Sequence, residues 1–171
     1  MSKIILLGYM GSGKSTVAES LALKTGLPHI DLDHEIEMHA GDSVSNIFAV
    51  KGEIWFRKTE HQILKEVLQR PENYILSLGG GTPCYANNHK LLFQQKYKTV
   101  YLKASIPTLC ERLKHSLETR PLLHAESEES LSEYIAKHLF ERRYFYEMST
   151  ITISTDHKNP DSIANEILNE L

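Results

Sequence analysis

The segment GYMGSGKST, residues 8–16, follows directly on the apolar run Ile4-Ile5-Leu6-Leu7. Three glycines and a lysine make a poor helix and offer nothing to bury, so neither propensity nor burial accounts for the segment. Gly8, Gly13, Lys14 and Ser15 match the pattern G-x-x-x-x-G-K-[ST]. Its glycines let the backbone curl until several N–H groups point at one anion. A helix starting at Lys14 adds its positive N-terminal end. The lysine supplies a cation to the β- and γ-phosphates, and the serine hydroxyl can coordinate Mg²⁺. The pattern stands between an apolar strand and a helical segment, which is the context in which it cradles a nucleotide. Gly11, Ser12, Gly13, Lys14, Ser15 and Thr16 are therefore expected to bind ATP, with Ser15 also on the metal.

Short apolar runs alternate with helical patterns along the rest of the chain. KIILLG, PHIDLD, YILSLGGG, TVYLKA and TITIS read as strands. Residues 14–25, 34–51 (broken near Gly41), 52–69, 86–95, 106–115, 130–147 and 160–171 read as helices. Most of the strands are apolar on consecutive positions, which indicates a parallel sheet covered on both faces. Right-handed crossovers then give an α/β three-layer sandwich with a five-stranded parallel sheet, of P-loop kinase type. The 171 residues suit a single domain, 1–171. Ligands of such sheets sit beyond the carboxyl ends of the strands. Residues 8–15, 31–33 and 79–81 are thus expected to line one crevice.

A formal charge of −3 argues against a nucleic-acid or anionic-membrane partner. No stretch approaches the roughly 18 apolar residues of a membrane span. The apolar run near the start is too short for a signal peptide. Cys84 and Cys110 have no metal-ligand spacing and read as reduced thiols of a cytoplasmic protein. No long exposed apolar stripe demands a partner, so a monomer is expected.

Several charged residues stand where a plain fold has no use for them. Asp31 and Asp33 flank Leu32, and strand alternation would put both carboxylates on one side, facing the phosphate loop. Asp31 is assigned to the Mg²⁺ water shell and Asp33 to an acceptor hydroxyl. The plain alternative is that Asp33 caps a helix starting at His34. His29 and His34 read as structural or surface residues. In the helix after Gly52, Phe56, Ile63, Leu64, Val67 and Leu68 make an apolar stripe that also contains Arg57 and Glu60. Charges on a buried face need partners. Either the two form a structural pair, or Glu60 orients Arg57 toward a carboxylate ligand. The helix at 130–147 repeats the feature, with Arg142 inside its stripe and Arg143 rotated to the edge. Two inward arginines suggest a small anionic substrate, because arginine grips carboxylate in a bidentate fork. Gly79, Gly80 and Gly81 exceed what a turn requires and suggest close approach of a ligand. Arg120 precedes Pro121 in a polar stretch that reads as a mobile loop. It is either a solvated arginine or the cation of a lid closing over ATP.

Taken in order, GYMGSGKST, DLD, GEIWFRKTE, LGGGTP, RPLL and the R-x-x-x-Y of Arg142 to Tyr146 resemble shikimate kinase, within the P-loop, nucleoside monophosphate kinase-like group. The resemblance spans nearly the whole chain. It implies ATP-dependent phosphorylation of the shikimate 3-hydroxyl, with ATP and Mg²⁺ as cofactors, in the route to chorismate and aromatic amino acids. It implies that Asp31 holds the Mg²⁺ shell and Asp33 the shikimate hydroxyl. Arg57, Gly79 to Gly81 and Arg142 would bind shikimate, on helices of about residues 33–62 and on the helix carrying Arg142; the stripe reading adds Glu60, which orients Arg57. Arg120 becomes the catalytic cation of a lid at about 115–129, beside Lys14 and Asp33. Arg112 and Pro160 match the positions that hold the adenine. Rival readings are a kinase for gluconate or a nucleoside monophosphate, and a non-catalytic nucleotide-dependent regulator. The absence of a guanine-reading N-K-x-D pattern lowers the last.

Overall fold

β1 (Lys3–Leu7) runs through the middle of the sheet, as a strand with apolar side chains at successive positions must. The computed structural model describes residues 3–114 and 128–171. In chain order these residues form β1, α1 (Lys14–Thr25), β2 (His29–Asp31), α2 (Leu32–Ala40), α3 (Val44–Val50) and α4 (Gly52–Gln69). There follow β3 (Ile75–Ser77), a 3₁₀ turn at Thr82–Cys84, α5 (Asn88–Leu92), β4 (Tyr97–Lys103) and α6 (Ile106–Lys114). The chain closes with α7 (Glu128–Tyr146), β5 (Ile151–Ser154) and α8 (Pro160–Glu170). The strands lie in the order β2-β3-β1-β4-β5, and every neighbouring pair is parallel.

Alternation along β1 divides the core into two layers. Ile5 and Leu7 face one side, where α4, α6 and α7 contribute Ile63, Leu64, Val67, Leu109, Leu113, Leu131 and Ile135. Ile4 and Leu6 face the other, against Val17, Ala18 and Leu21 of α1 and Ile163, Ala164 and Ile167 of α8. This is the expected three-layer sandwich. Among the described residues no helix is long and apolar enough to cross a membrane.

Two local expectations are corrected. β2 ends at Asp31, and α2 begins at Leu32, so Asp33 lies in the first turn of a helix rather than on a strand. The cap is Asp31, whose Oδ1 accepts the backbone N–H groups of Asp33 and His34. Satisfying those two orphan donors outweighs one more residue of strand pairing at the sheet edge. The helix expected at 86–95 contracts to α5. Pro83 in the preceding 3₁₀ turn, and positive φ angles of 50° at Ala86 and 56° at Asn87, delay its start. The lid expected at 115–129 falls almost wholly outside the described residues.

Gly8 ends β1 with φ 150°, and a Cβ built there would stand 2.6 Å from the Leu102 carbonyl oxygen and 2.8 Å from Ser12 Oγ. The oxygen at 2.6 Å is backbone and cannot rotate away, so the site admits only glycine. By contrast Gly26, with φ 71°, has nothing within 4 Å of such a Cβ. Gly26→Ala should therefore cost about 1 kcal/mol of stability, and Gly8→Ala about 3 kcal/mol or more, in urea unfolding.

Candidate active site

Two adjoining cavities open beyond the carboxyl ends of β1, β2 and β3. The first, of about 540 Å³, is lined by the loop from Met10 to Thr16, by Asp31, Asp33, Gly79 and Gly80, and by Arg112, Lys158, Pro160 and Ile163. The second, of about 800 Å³, is lined by Asp33, Glu37, Phe48, Phe56, Arg57, Glu60, Gly79 to Gly81 and Arg142. Met10, Asp33, Gly79 and Gly80 belong to both. The three crevice segments expected from the sequence thus meet, and Asp33 stands at the junction.

Gly11 and Gly13 curl the loop through φ angles of 81° and 93°. Lys14 Nζ folds back across it, donating to the carbonyls of Gly8 at 2.9 Å and Tyr9 at 3.0 Å. Ser12 Oγ is buried in the loop without a hydrogen-bond partner. An orphaned hydroxyl beside a glycine cradle at a helix N-terminus suits a phosphate group. Arg112 lies against the same loop. Its Nη1 donates to the Gly11 carbonyl at 3.1 Å and its Nη2 to the Thr155 carbonyl at 3.3 Å. That fixes the guanidinium in the wall of the first cavity, which Pro160 also lines.

Asp31 Oδ2 accepts Ser15 Oγ at 3.3 Å and Ser77 Oγ at 2.8 Å. Ser77 has one proton to give. His29 Nε2, 2.9 Å from Ser77 Oγ, must therefore be the donor in that contact. Sequence reading missed this link, because a lone histidine on a short strand carries no signal. Among the described residues no cluster of three His, Cys, Asp or Glu side chains could hold a metal. One carboxylate and one hydroxyl beside a phosphate cradle are a poor zinc site. They suit Mg²⁺, which keeps several waters and binds through few protein oxygens plus phosphate.

Asp33 is a different carboxylate. Burial, and then the neighbouring charges of Asp31 and Glu60, push its pKa up to about 6, against the opposing pull of Lys14. Its Oδ1 lies 3.0 Å from where a Cβ on Gly79 would stand, so the glycine admits it to the cleft floor.

Arg57 Nη1 donates to Glu60 Oε2 at 2.9 Å, and Glu53 stands on the other side of the guanidinium, 3.4 Å from Nε. A Cβ on Gly81 would come within 2.8 Å of Arg57 Nη2. The third glycine therefore makes room for the arginine. Arg142 projects from α7 with its guanidinium carbon 5.6 Å from the centroid of the Tyr9 ring. The Tyr146 hydroxyl, one turn on, donates to the Gly80 carbonyl at 2.6 Å and ties α7 to the glycine loop. Arg143 pairs with Glu147 at the surface instead. Arg120 lies outside the described residues. Lys158, Ile163, Glu37 and Phe48 line the cavities without having been singled out, since no motif or periodicity marks them.

The shikimate kinase family model matches residues 10–171. The chain belongs to the shikimate kinase family. It is 50% identical to the shikimate kinase of Flavobacterium johnsoniae, over all of this chain and 99% of that one. The crystal structure of shikimate kinase from Bacteroides thetaiotaomicron superposes with a TM-score of 0.89 at 33% identity, covering 99% of each chain. Shikimate kinase from Acinetobacter baumannii in complex with shikimate gives the same TM-score and identity, over 99% of this chain and 92% of that one.

The raised pKa of Asp33 makes the stability of the fold depend on pH. Unfolded, its carboxyl titrates near 3.8, and folded near 6. Its contribution to stability is therefore complete below pH 3.8 and is lost as pH rises through 6. Above that pH the ionised Asp33 destabilises the fold, by about 2 kcal/mol once water in the cleft is allowed for. Asp33→Asn should accordingly raise stability at pH 7.5 in urea unfolding without added nucleotide or Mg²⁺. The gain should vanish by pH 4.

Proposed function

We propose that this protein transfers the γ-phosphoryl group of ATP to the 3-hydroxyl of shikimate, giving shikimate 3-phosphate and ADP. The observation that carries the reading is the convergence of two arginines from separate helices, Arg57 and Arg142, on a cavity that shares its floor with the phosphate loop. A small carboxylic acid held by that pair would present its hydroxyls toward Asp33. The complex of the Acinetobacter baumannii relative with shikimate supports the choice of acid.

In this reading Arg57, Arg142 and the backbone at Gly79 to Gly81 grip the carboxylate and hydroxyls of the acceptor. Glu60 acts through Arg57. Asp33 orients the 3-hydroxyl and accepts its proton late in the transfer. A carboxylate with its pKa near 6 is ionised at neutral pH yet more basic than an ordinary aspartate, which suits it to that proton. The N–H groups of Gly11 to Thr16 hold the phosphates in line, and Lys14 turns from the loop carbonyls toward the moving phosphoryl. Asp31 and Ser15 would hold Mg²⁺, which when bound would offset the negative charge of the phosphates. Arg112 and Pro160 hold the adenine. Arg120, which lies outside the described residues, would supply a further cation to the moving phosphoryl. Helices of residues 33–62 form the acceptor side of this one domain. Positioning and electrostatics do most of the catalysis. The proposal includes a monomeric enzyme of the cytoplasm.

A coupled ADP-release assay with ATP, over shikimate, gluconate and nucleoside monophosphates, tests the assignment. Turnover is expected with shikimate, and turnover only with another acceptor would overturn it. Arg142→Ala should raise the KM for shikimate about 100-fold, the loss of a charge-assisted bidentate contact, and leave ATP affinity unchanged.

A further inference from the structure

Glu60 is only 1% exposed. A carboxylate at that depth needs both oxygens satisfied. Oε2 takes Arg57, and Oε1 accepts Thr82 Oγ1 at 2.8 Å. Thr82 is itself fully buried, and its carbonyl accepts Asn88 Nδ2 at 2.9 Å. Asn88, also fully buried, places Oδ1 2.6 Å from His61 Nδ1. The amide nitrogen of Asn88 is committed to Thr82. Its oxygen must accept, and His61 therefore carries a proton on Nδ1. The chain of contacts thus leaves α4 at Glu60, passes through the segment after β3, and returns to α4 at the next residue.

The same segment touches Arg57 directly. The Tyr85 ring centroid lies 4.0 Å from the guanidinium carbon, a stacked cation–π contact. Between Tyr85 and Asn88 the backbone passes through Ala86 and Asn87, both at positive φ. An alanine in that region is held there only when surrounding contacts over-determine it. Here the turn is what carries Tyr85 over Arg57 and Asn88 under Thr82.

We infer that Thr82, Tyr85 and Asn88 form a brace that presets Arg57 for the acceptor carboxylate. Thr82 and Asn88 are positioning residues acting through Glu60, and Tyr85 holds the guanidinium plane. A free arginine loses rotamer freedom on binding, and the brace moves that loss from the binding step to folding. The inference rests on the reading of Arg57 as a ligand of shikimate.

Thr82→Val keeps the shape and removes the hydroxyl, leaving Glu60 Oε1 without a donor. The KM for shikimate should rise about tenfold, with the KM for ATP unchanged and kcat within about twofold. Thr82→Ser should restore it. Tyr85 is 38% exposed, so Tyr85→Leu tests the brace without risk to the core and should raise the shikimate KM about threefold. Calorimetric titration of shikimate should show the same order of affinities. A shikimate KM in Tyr85→Leu and Thr82→Val equal to that of the unmodified enzyme would overturn the brace alone. A fall in kcat with no change in KM would do the same. If Thr82→Val does not fold, Tyr85→Leu decides. Failure of the unmodified enzyme to phosphorylate shikimate would instead overturn the acceptor assignment, and the brace with it.

Discussion

The contact between Gly8 and the Leu102 carbonyl sets where everything else must stand. β1 is central and buried on both faces, so its end cannot shift without disturbing both layers of the core. The next residue, Gly8, then turns at a point where backbone meets backbone, with no room for a side chain. The phosphate loop is thereby registered against β4, and Lys14 and the first turn of α1 follow from it. Phosphate is a demanding ligand, since its charge must be met by N–H groups already in place. A loop fixed by the centre of the sheet meets that demand better than one hung from an edge.

The two carboxylates near the loop show how one short segment produces two chemistries. Half-buried Asp31 accepts from two serines and two backbone amides. Asp33, two residues on, is turned by the first helical turn to the junction of the two cavities, where burial and the charges of Asp31 and Glu60 raise its pKa. The division depends on the strand ending at Asp31. Had the strand continued through Asp33, the two side chains would share one side and one environment.

The three-layer order was legible in the sequence because consecutive apolar residues in short runs leave little choice but buried parallel strands. The phosphate loop was legible because its glycines and lysine make no sense without an anion. Arg57, Glu60 and Arg142 stood out as charges inside apolar stripes, and the helical period assigned Arg142 rather than Arg143 to the interior. The boundary between β2 and α2 was not legible, since a capping aspartate and a strand aspartate look the same in a D-x-D. Nor were His29, Lys158 or the Asn88 contacts. They depend on which distant residues the turns bring together, and a turn at Ala86 and Asn87 has no glycine to announce it.

Arg57 on α4 and the helices around it all lie in the excursion between β2 and β3, while the first cavity is built mainly from the loop after β1 and from Arg112, Lys158, Pro160 and Ile163 in the far half of the chain. The sheet thus takes most of the second cavity from one detour, to which Met10, Gly79 to Gly81 and Arg142 are added from elsewhere. A lineage could exchange residues 34–74 for a different helical detour, keep Asp33 and the phosphate loop, and so re-line the second cavity for another alcohol.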